Sequence, residues 1–415
     1  MAYKKTRLIL ISFDAVGDRV FDWMTALPHV STFLWSAALV RDVRSVFVTN
    51  TYPIHASVVT GLPPSGHGLV SNAPAFPQRY SKWNYRSNGI KAKTLWKAAA
   101  EKGFSQGAVL WPVTGGNRNI RWNLPEIMPR PGVNQLLVNL LNGTKLMQLR
   151  LYFKYRYLLE GISQPARDRF ATACMADILR HHQPDLAFMH FTAYDSLCHH
   201  HGEDRSVLEK ALRALDQGLG DILEASVADG DPPAVIIFSD HAQLPVSETL
   251  LPNDMLVELG LLKKQGEQYI AGESFCFIEC CGGSAFFHPG NLGAGDIDRV
   301  RQRIEVSRGF NRWLREAEMA ECGLGGLGFC AKPGWQYAPC PSDEKSQHGY
   351  PPDYEDYGVF YAIRGPGIVP GRTVRGGSIL DIAPLALRIL GEGLPPKKRP
   401  QIPGLGPART DLFRG

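Results

Sequence analysis

Three short apolar runs in this sequence each lead into an acidic residue, and no other feature constrains the fold as much. Leu8-Ile9-Leu10-Ile11-Ser12-Phe13 runs into Asp14, Leu186–Phe191 is followed by Asp195 and His199, and Val235-Ile236-Ile237-Phe238-Ser239 runs into Asp240-His241. Runs of this length, rich in Ile, Leu, Val and Phe and apolar on both faces, suit strands of a parallel sheet covered by helices on both sides. Ligands of such sheets gather at the carboxyl ends of the strands. Three separate stretches therefore deliver Asp and His to one sheet edge, which is the layout of a metal site.

The chain has 415 residues, enough for one large α/β domain with insertions or for two domains. Its 45 basic and 40 acidic residues leave a formal charge of +5, too mild and too dispersed to predict nucleic-acid binding beyond nucleotides. Lys4, Lys5 and Arg7 before Leu8 imitate the start of a secretory leader. The apolar run that follows is too short and has no small-residue cleavage site, so it reads as a core strand and the expected location is cytoplasmic. No apolar run approaches the roughly 18 residues of a membrane span, so no transmembrane segment is expected. Six of the eight cysteines lie between 276 and 340, yet no C-x-x-C pair occurs among them. Free thiols are expected rather than a structural zinc site.

The α/β rhythm can be followed along the chain. A helical stretch is expected at 20–38, then a turn into Thr51, a helix at 91–102 and a strand at 108–111. Residues 130–165 form a basic amphipathic stretch in which leucines alternate with Lys145, Arg150, Lys154 and Arg156. Such a segment can lie on a membrane surface, but a packing or cap helix is the preferred reading. The rhythm returns at 167–241, loosens at 244–347, and resumes with a strand at 359–363 and a helix at 379–390 closed by Gly391. The expected organisation is a single domain over 1–415 whose insertions, at about 73–165 and 244–347, form a cap. Gly323, Gly325 and Gly328 satisfy G-x-G-x-x-G, but they follow a helix-like segment rather than a strand and read as a glycine loop.

The chemistry concentrates in a few places. In Thr51-Tyr52-Pro53-Ile54-His55 the proline predicts a helix start and Gly61 its end. Thr51 then sits at the positive end of a helix dipole, where an alkoxide or a phosphate is stabilised. Taken alone, the segment reads first as an ordinary N-cap threonine. Asp195 and His199 stand four apart, a spacing that points both side chains of a helical turn at one ion. Asp240-His241 adds a carboxylate and an imidazole at a strand end, donors that zinc accepts. His348 follows in a loop. Trp111 and Tyr350 are the aromatic candidates for stacking on a base, with core packing the preferred role for both.

In their order and contexts these pieces resemble the alkaline phosphatase superfamily, most closely its nucleotide pyrophosphatase/phosphodiesterase branch. The resemblance implies a three-layer α/β sandwich with a mostly parallel central sheet, helices on both faces and cap insertions. Thr51 resembles the nucleophile of the branch's threonine-aromatic-proline-asparagine-histidine motif, and Asn72 in His67-Gly68-Leu69-Val70-Ser71-Asn72 resembles the asparagine that contacts a phosphoryl oxygen. It further implies two divalent ions, zinc first and manganese second. One would be held by Asp195, His199 and His348, the other by Asp14, Asp240 and His241 with Thr51. The implied reaction is hydrolysis of a small phosphodiester or phosphoanhydride through a phosphothreonine, the backbone N–H of Tyr52 and the side chain of Asn72 stabilising the phosphoryl oxygens.

The sequence departs from the branch at Ile54, in place of an asparagine, at Cys198, in place of a glycine, and at Ala242-Gln243. None removes an expected ligand, so substrate choice is what stays open. A phosphonate hydrolase or phosphomonoesterase, a phosphomutase, and a metal-stabilised binding protein are the alternatives.

Overall fold

The computed structural model describes residues 5–73, 83–128, 132–161, 163–227, 232–266, 268–270 and 275–414. Strands β1 (Leu8–Phe13), β2 (Ala38–Arg44), β3 (Gln106–Val109), β4 (Trp122–Leu124), β5 (Leu186–Phe191) and β6 (Ala234–Ser239) join Val359–Arg364 and Thr373–Ser378 in one eight-stranded sheet. Its order is Thr373–Ser378, β2, Val359–Arg364, β6, β1, β5, β3, β4. Strand β1 lies between β5 and β6 and is parallel to both, with Phe13 level with Phe191 and with Ser239. The three apolar runs are thus neighbours in register, and the acidic residues that follow them emerge at one edge.

Every residue of β1, β5 and β6 is buried, because helices cover both faces. Alternation splits the side chains between two cores. Leu8 and Leu10 pack with the helices Thr51–Thr60, Leu95–Ala100 and Ile382–Leu390 on one face. Ile9, Ile11 and Phe13 pack with Pro28–Trp35, Ala166–His182 and Arg205–Ser226 on the other. The architecture is the expected mostly parallel α/β sandwich. Trp111 and Tyr350 are both fully buried and belong to cores.

One local expectation needs correction, and another needs a finer statement. The helical stretch expected at 20–38 is two short helices, Phe21–Thr25 and Pro28–Trp35, and the segment after it is strand β2 rather than a turn. In β2 buried Ala38, Val40 and Val43 are interleaved with half-buried Leu39 and Arg41 and with exposed Asp42 and Arg44, a pattern hidden by Arg41 and Asp42 in its middle. In the 130–165 stretch, helices Gln135–Asn142 and Lys145–Tyr155 pack on one side only. Met147 and Leu151 enter the core, whereas Leu136, Leu137, Leu141, Leu146 and Phe153 remain exposed.

Residues 244–350 build a four-stranded antiparallel sheet, in the order Phe277–Cys280, Ser284–His288, Leu327–Ala331 and Phe310–Trp313, and a three-stranded sheet of Gly334–Tyr337, Leu244–Leu250 and Ser346–Gln347. Gly323, in the left-handed region at φ 69°, ends the helix Glu316–Cys322, and the glycines after it lead into a strand. That order is the reverse of a dinucleotide fingerprint.

Candidate metal centre

Each candidate side chain is placed by a chain reversal at the sheet edge. Asp14 follows β1 and Asp240-His241 follows β6. Asp195 and His199 lie one turn apart on the helix Ala193–His201 that starts just after β5. His348 comes from the loop after Ser346–Gln347, which is hydrogen-bonded to Leu244–Leu250. Thr51 opens the helix Thr51–Thr60, whose N-cap is Asn50 and whose end is Gly61 at φ 70°.

These reversals produce two groups of ligand-type atoms, Asp195 with His199 and His348, and Asp14 with Asp240 and His241. Within each group the atoms lie within 4.8 Å of one another. The His241 and His348 rings, 4.4 Å apart between centroids, bring the two groups side by side. His241 Nε2 is 3.3 Å from Asp14 Oδ1, 3.6 Å from Asp240 Oδ2 and 3.2 Å from Thr51 Oγ1. His199 Nε2 is 3.5 Å from Asp195 Oδ1, while its Nδ1 lies 2.9 Å from the Ser346 carbonyl oxygen. His348 Nδ1 lies 2.9 Å from Asn50 Oδ1.

The carboxylates fit a cation. Asp14 Oδ1 and Asp240 Oδ2 are buried without a hydrogen bond, a costly state for anionic oxygens unless positive charge compensates it. Burial, then the charges of Asp195 and Asp240, push the Asp14 carboxyl well above its usual range. Burial also acts against Asp195, yet His199 beside it, with His348 and His241, draws that carboxyl below its usual range. His199 itself rises to about 9, because Asp195 and Glu344 outweigh its burial. Burial and the neighbouring His241 depress His348. A bound cation inverts these relations by becoming the largest local charge.

A cleft of about 640 Å³ opens over both groups and over Thr51 and Asn72. Glu279–Gly282, Gln336–Glu344 and Gln347 also line it. The backbone N–H of Tyr52 donates to Asn72 Oδ1 at 2.9 Å, so it is engaged with that side chain instead of standing free for a phosphoryl oxygen as expected. The contact fixes the Asn72 amide at the helix start.

Several contributors were missed from sequence. Gln243 donates through Nε2 to Asp195 Oδ1 and, at 3.2 Å, to its carbonyl oxygen. His190, from β5, places Nε2 3.1 Å from Asp14 Oδ2. His55 places Nδ1 3.6 Å from Asp240 Oδ2. Both rings are fully buried, which depresses each, His55 to about 4. Glu126 and Arg167 line the cleft. Burial, opposed by Arg167 and reinforced by Asp195 and Asp240, raises the Glu126 carboxyl to about 8. His190 points to the face of β5 that a strand pattern treats as core, and Glu126 lies in an irregular segment, so neither carried a sequence signal.

The model of the family described as type I phosphodiesterase/nucleotide pyrophosphatase matches residues 8–350. The bis(5'-adenosyl)-triphosphatase ENPP4 of Pongo abelii is 24% identical over 405 residues, covering 93% of this chain and 78% of that protein. Ectonucleotide pyrophosphatase/phosphodiesterase family member 1 of Mus musculus is 24% identical over 242 residues, 56% of this chain and 23% of that protein. The solved murine ectonucleotide pyrophosphatase/phosphodiesterase 5 superposes with a TM-score of 0.68 at 18% identity, covering 98% of this chain and 100% of that one. An inactive variant of that protein in complex with AMP superposes equally, with a TM-score of 0.68 at 18% identity.

These relatives overturn the cytoplasmic expectation, since they are ecto-enzymes by name. The inference from the N-terminal apolar run fails for a physical reason. Leu8–Phe13 is a buried core strand and carries no address either way. Among the described residues no helix is long and apolar enough to cross a membrane.

Proposed function

The chain belongs to the type I phosphodiesterase/nucleotide pyrophosphatase family, metal-dependent hydrolases of phosphodiester and pyrophosphate bonds, and on that premise we propose that Thr51 is its nucleophile. The observation that carries the proposal is the position of Thr51 Oγ1, at a helix N-terminus in the cleft and 3.2 Å from His241 Nε2, where the two acid-imidazole groups adjoin. Asp195, His199 and His348 would hold one divalent ion, and Asp14, Asp240 and His241 the other, with Thr51 beside it. Three imidazoles and three carboxylates suit zinc first and manganese second. When bound, such ions act as Lewis acids on the phosphoryl group and lower the pKa of the attacking hydroxyl.

The protein's own groups divide the remaining work. Thr51 Oγ1 attacks phosphorus, the P–O bond to the leaving group breaks, and the retained phosphoryl group is esterified to Thr51. The helix N-terminus favours the charge that develops there. Asn72, fixed by the Tyr52 N–H, presents its amide to a phosphoryl oxygen. Water then hydrolyses the threonine ester, and Trp83, Met128, Glu279–Gly282 and Gln336–Glu344 shape the leaving-group pocket; the expected insertion at 73–165 is not one as a whole, since it carries β3 and β4 of the central sheet. Nucleotide diesters and anhydrides are the substrate class closest to what the relatives' names describe.

A specific observation favours a second reading, a phosphomonoesterase. Arg167, which the sequence did not single out, lies in the cleft with its Nε buried and unpartnered, although a terminal nitrogen donates to Thr192 Oγ1 at 2.8 Å. A cation there compensates the extra charge of a monoester dianion. Comparing kcat/KM on an aryl diester and the matched aryl monoester decides between the two. The diester should lead by at least about tenfold, roughly 1.4 kcal/mol of transition-state binding. A monoester preference of that size, lost in Arg167→Ala, would establish the second reading.

A further inference from the structure

We propose that the helical pair Gln135–Asn142 and Lys145–Tyr155 is a docking surface for an anionic lipid bilayer, apart from the hydrolytic site. Of the thirteen large apolar side chains left exposed among the described residues, eight lie between Met128 and Tyr157, on these helices and the segments flanking them. Leu136, Leu137 and Leu141 project from the first helix, Leu146 and Phe153 from the second, and Tyr157 from the turn after it. Leu146 is 83% exposed and Phe153 64%, values that place most of each side chain in solvent. Such a concentration on a folded surface marks an interaction site.

The helical register orders these groups. In Lys145–Tyr155 the buried residues Met147, Gln148 and Leu151 form one face. Leu146, Leu149 and Phe153, spaced three and four apart, lie on the opposite face. Lys145 flanks that outer stripe on one side, Arg150 and Lys154 on the other. Lys145 places a cation at the end of a flexible stem, able to reach headgroups while the stripe enters the acyl boundary, and Arg150 and Lys154, ion-paired with Asp177, keep the other flank net positive.

Charge identifies the occupant. From Ile127 to Leu159 the sequence contains no acidic residue, while Arg130, Lys145, Arg150, Lys154 and Arg156 are basic. Asp177, on the helix Ala166–His182, is the carboxylate that pairs with Arg150 and Lys154, and it leaves one of those two charges in excess. The Arg156 guanidinium lies 5.6 Å from the centroid of the Phe153 ring. An apolar stripe between cations complements an anionic bilayer better than a neutral protein surface or a second copy of the same basic face. The surface also adjoins the cleft. Gln135 Nε2 donates to the Ile127 carbonyl oxygen at 2.7 Å, and the neighbours Glu126 and Met128 line the cleft.

Co-sedimentation of the full chain with vesicles tests this. The protein should bind phosphatidylcholine vesicles containing phosphatidylglycerol at least about tenfold better than phosphatidylcholine alone, and high salt should weaken the binding. Leu146→Glu/Phe153→Glu should reduce binding at least about tenfold while hydrolysis of a soluble aryl diester and the circular-dichroism spectrum stay unchanged. Leu141→Ser, on the other helix, should reduce it as well. The proposal fails if the wild type ignores both vesicles or if the double variant binds as well as the wild type. It also fails if light scattering shows a dimer that the double variant dissociates, for then a second copy covers this face.

Discussion

Replacing Asp240 by asparagine should change stability in opposite directions with and without metal. In the metal-free protein the ligand atoms of Asp14 and Asp240 lie within 4.8 Å of each other. Two unit charges at that spacing repel by about 3.5 kcal/mol at an effective dielectric constant of about 20. Proton uptake by Asp14, whose carboxyl burial and neighbouring charge push upward, relieves part of this. Asparagine therefore leaves a gain of roughly 1–3 kcal/mol. It keeps an oxygen that accepts from the N–H groups of Ala15, at 3.2 Å, and His241, at 2.9 Å. With saturating zinc the sign reverses. Loss of an outer-shell partner alone typically costs ten- to a hundredfold in metal affinity, so loss of a ligand should cost at least about a hundredfold, roughly 2.7 kcal/mol. Linkage carries that loss into folding stability. Urea unfolding of both proteins, once with chelator and once with zinc, reads both signs, and elemental analysis counts the ions. Equal destabilisation under both conditions, with unchanged metal content, would refute the assignment of Asp240.

Two further variants probe other parts of the site. His199→Ala should empty the Asp195–His199–His348 group and lower activity with metal content, whereas His201→Ala, on an exposed ring of the same helix, should keep most of both; the reverse order, read by elemental analysis and turnover, would mean a wrong register. Glu126, raised from 4.5 to about 8, retains a proton in the folded state that the unfolded chain releases, so it makes stability fall as pH rises through that window. Glu126→Gln should therefore stabilise the chelated protein above about pH 8 by on the order of a few kcal/mol and change little below about pH 4. Denaturant titrations at both pH values check this, and an equal effect at both would rule out Glu126 as the titrating group.

The readable parts of this chain were those where pattern and chemistry coincide. Strands β1, β5 and β6 are apolar on both faces, and each leads into a residue that a core could not tolerate without a reason, so both the sheet and its functional edge showed in the sequence. Strand β2 was obscured because Arg41 and Asp42 interrupt a half-buried alternation next to a helical stretch. For the helices at 135–155 the packing role was legible but the second, exposed apolar face was not, since an amphipathic pattern fixes which residues share a face and not what that face meets. Gln243, His190 and Arg167 act through contacts with residues far off in sequence, so no local spacing announced them. His348 could be named only as completing the set begun by the other ligands, because a lone loop histidine has no pattern of its own.

The central claim, that Thr51 is a covalent nucleophile, is tested most directly by kcat/KM of metal-loaded Thr51→Ala on a soluble aryl diester. Its Oγ1 contact within the protein is the one with His241 Nε2 at 3.2 Å, so the substitution should cost only about 1 kcal/mol of stability. If the hydroxyl forms the bond to phosphorus, kcat/KM should fall at least about a thousandfold, roughly 4 kcal/mol of transition-state stabilisation, with two ions still bound. A Thr51→Ala enzyme that binds its metals and hydrolyses the diester within about threefold of the wild-type rate would contradict the account.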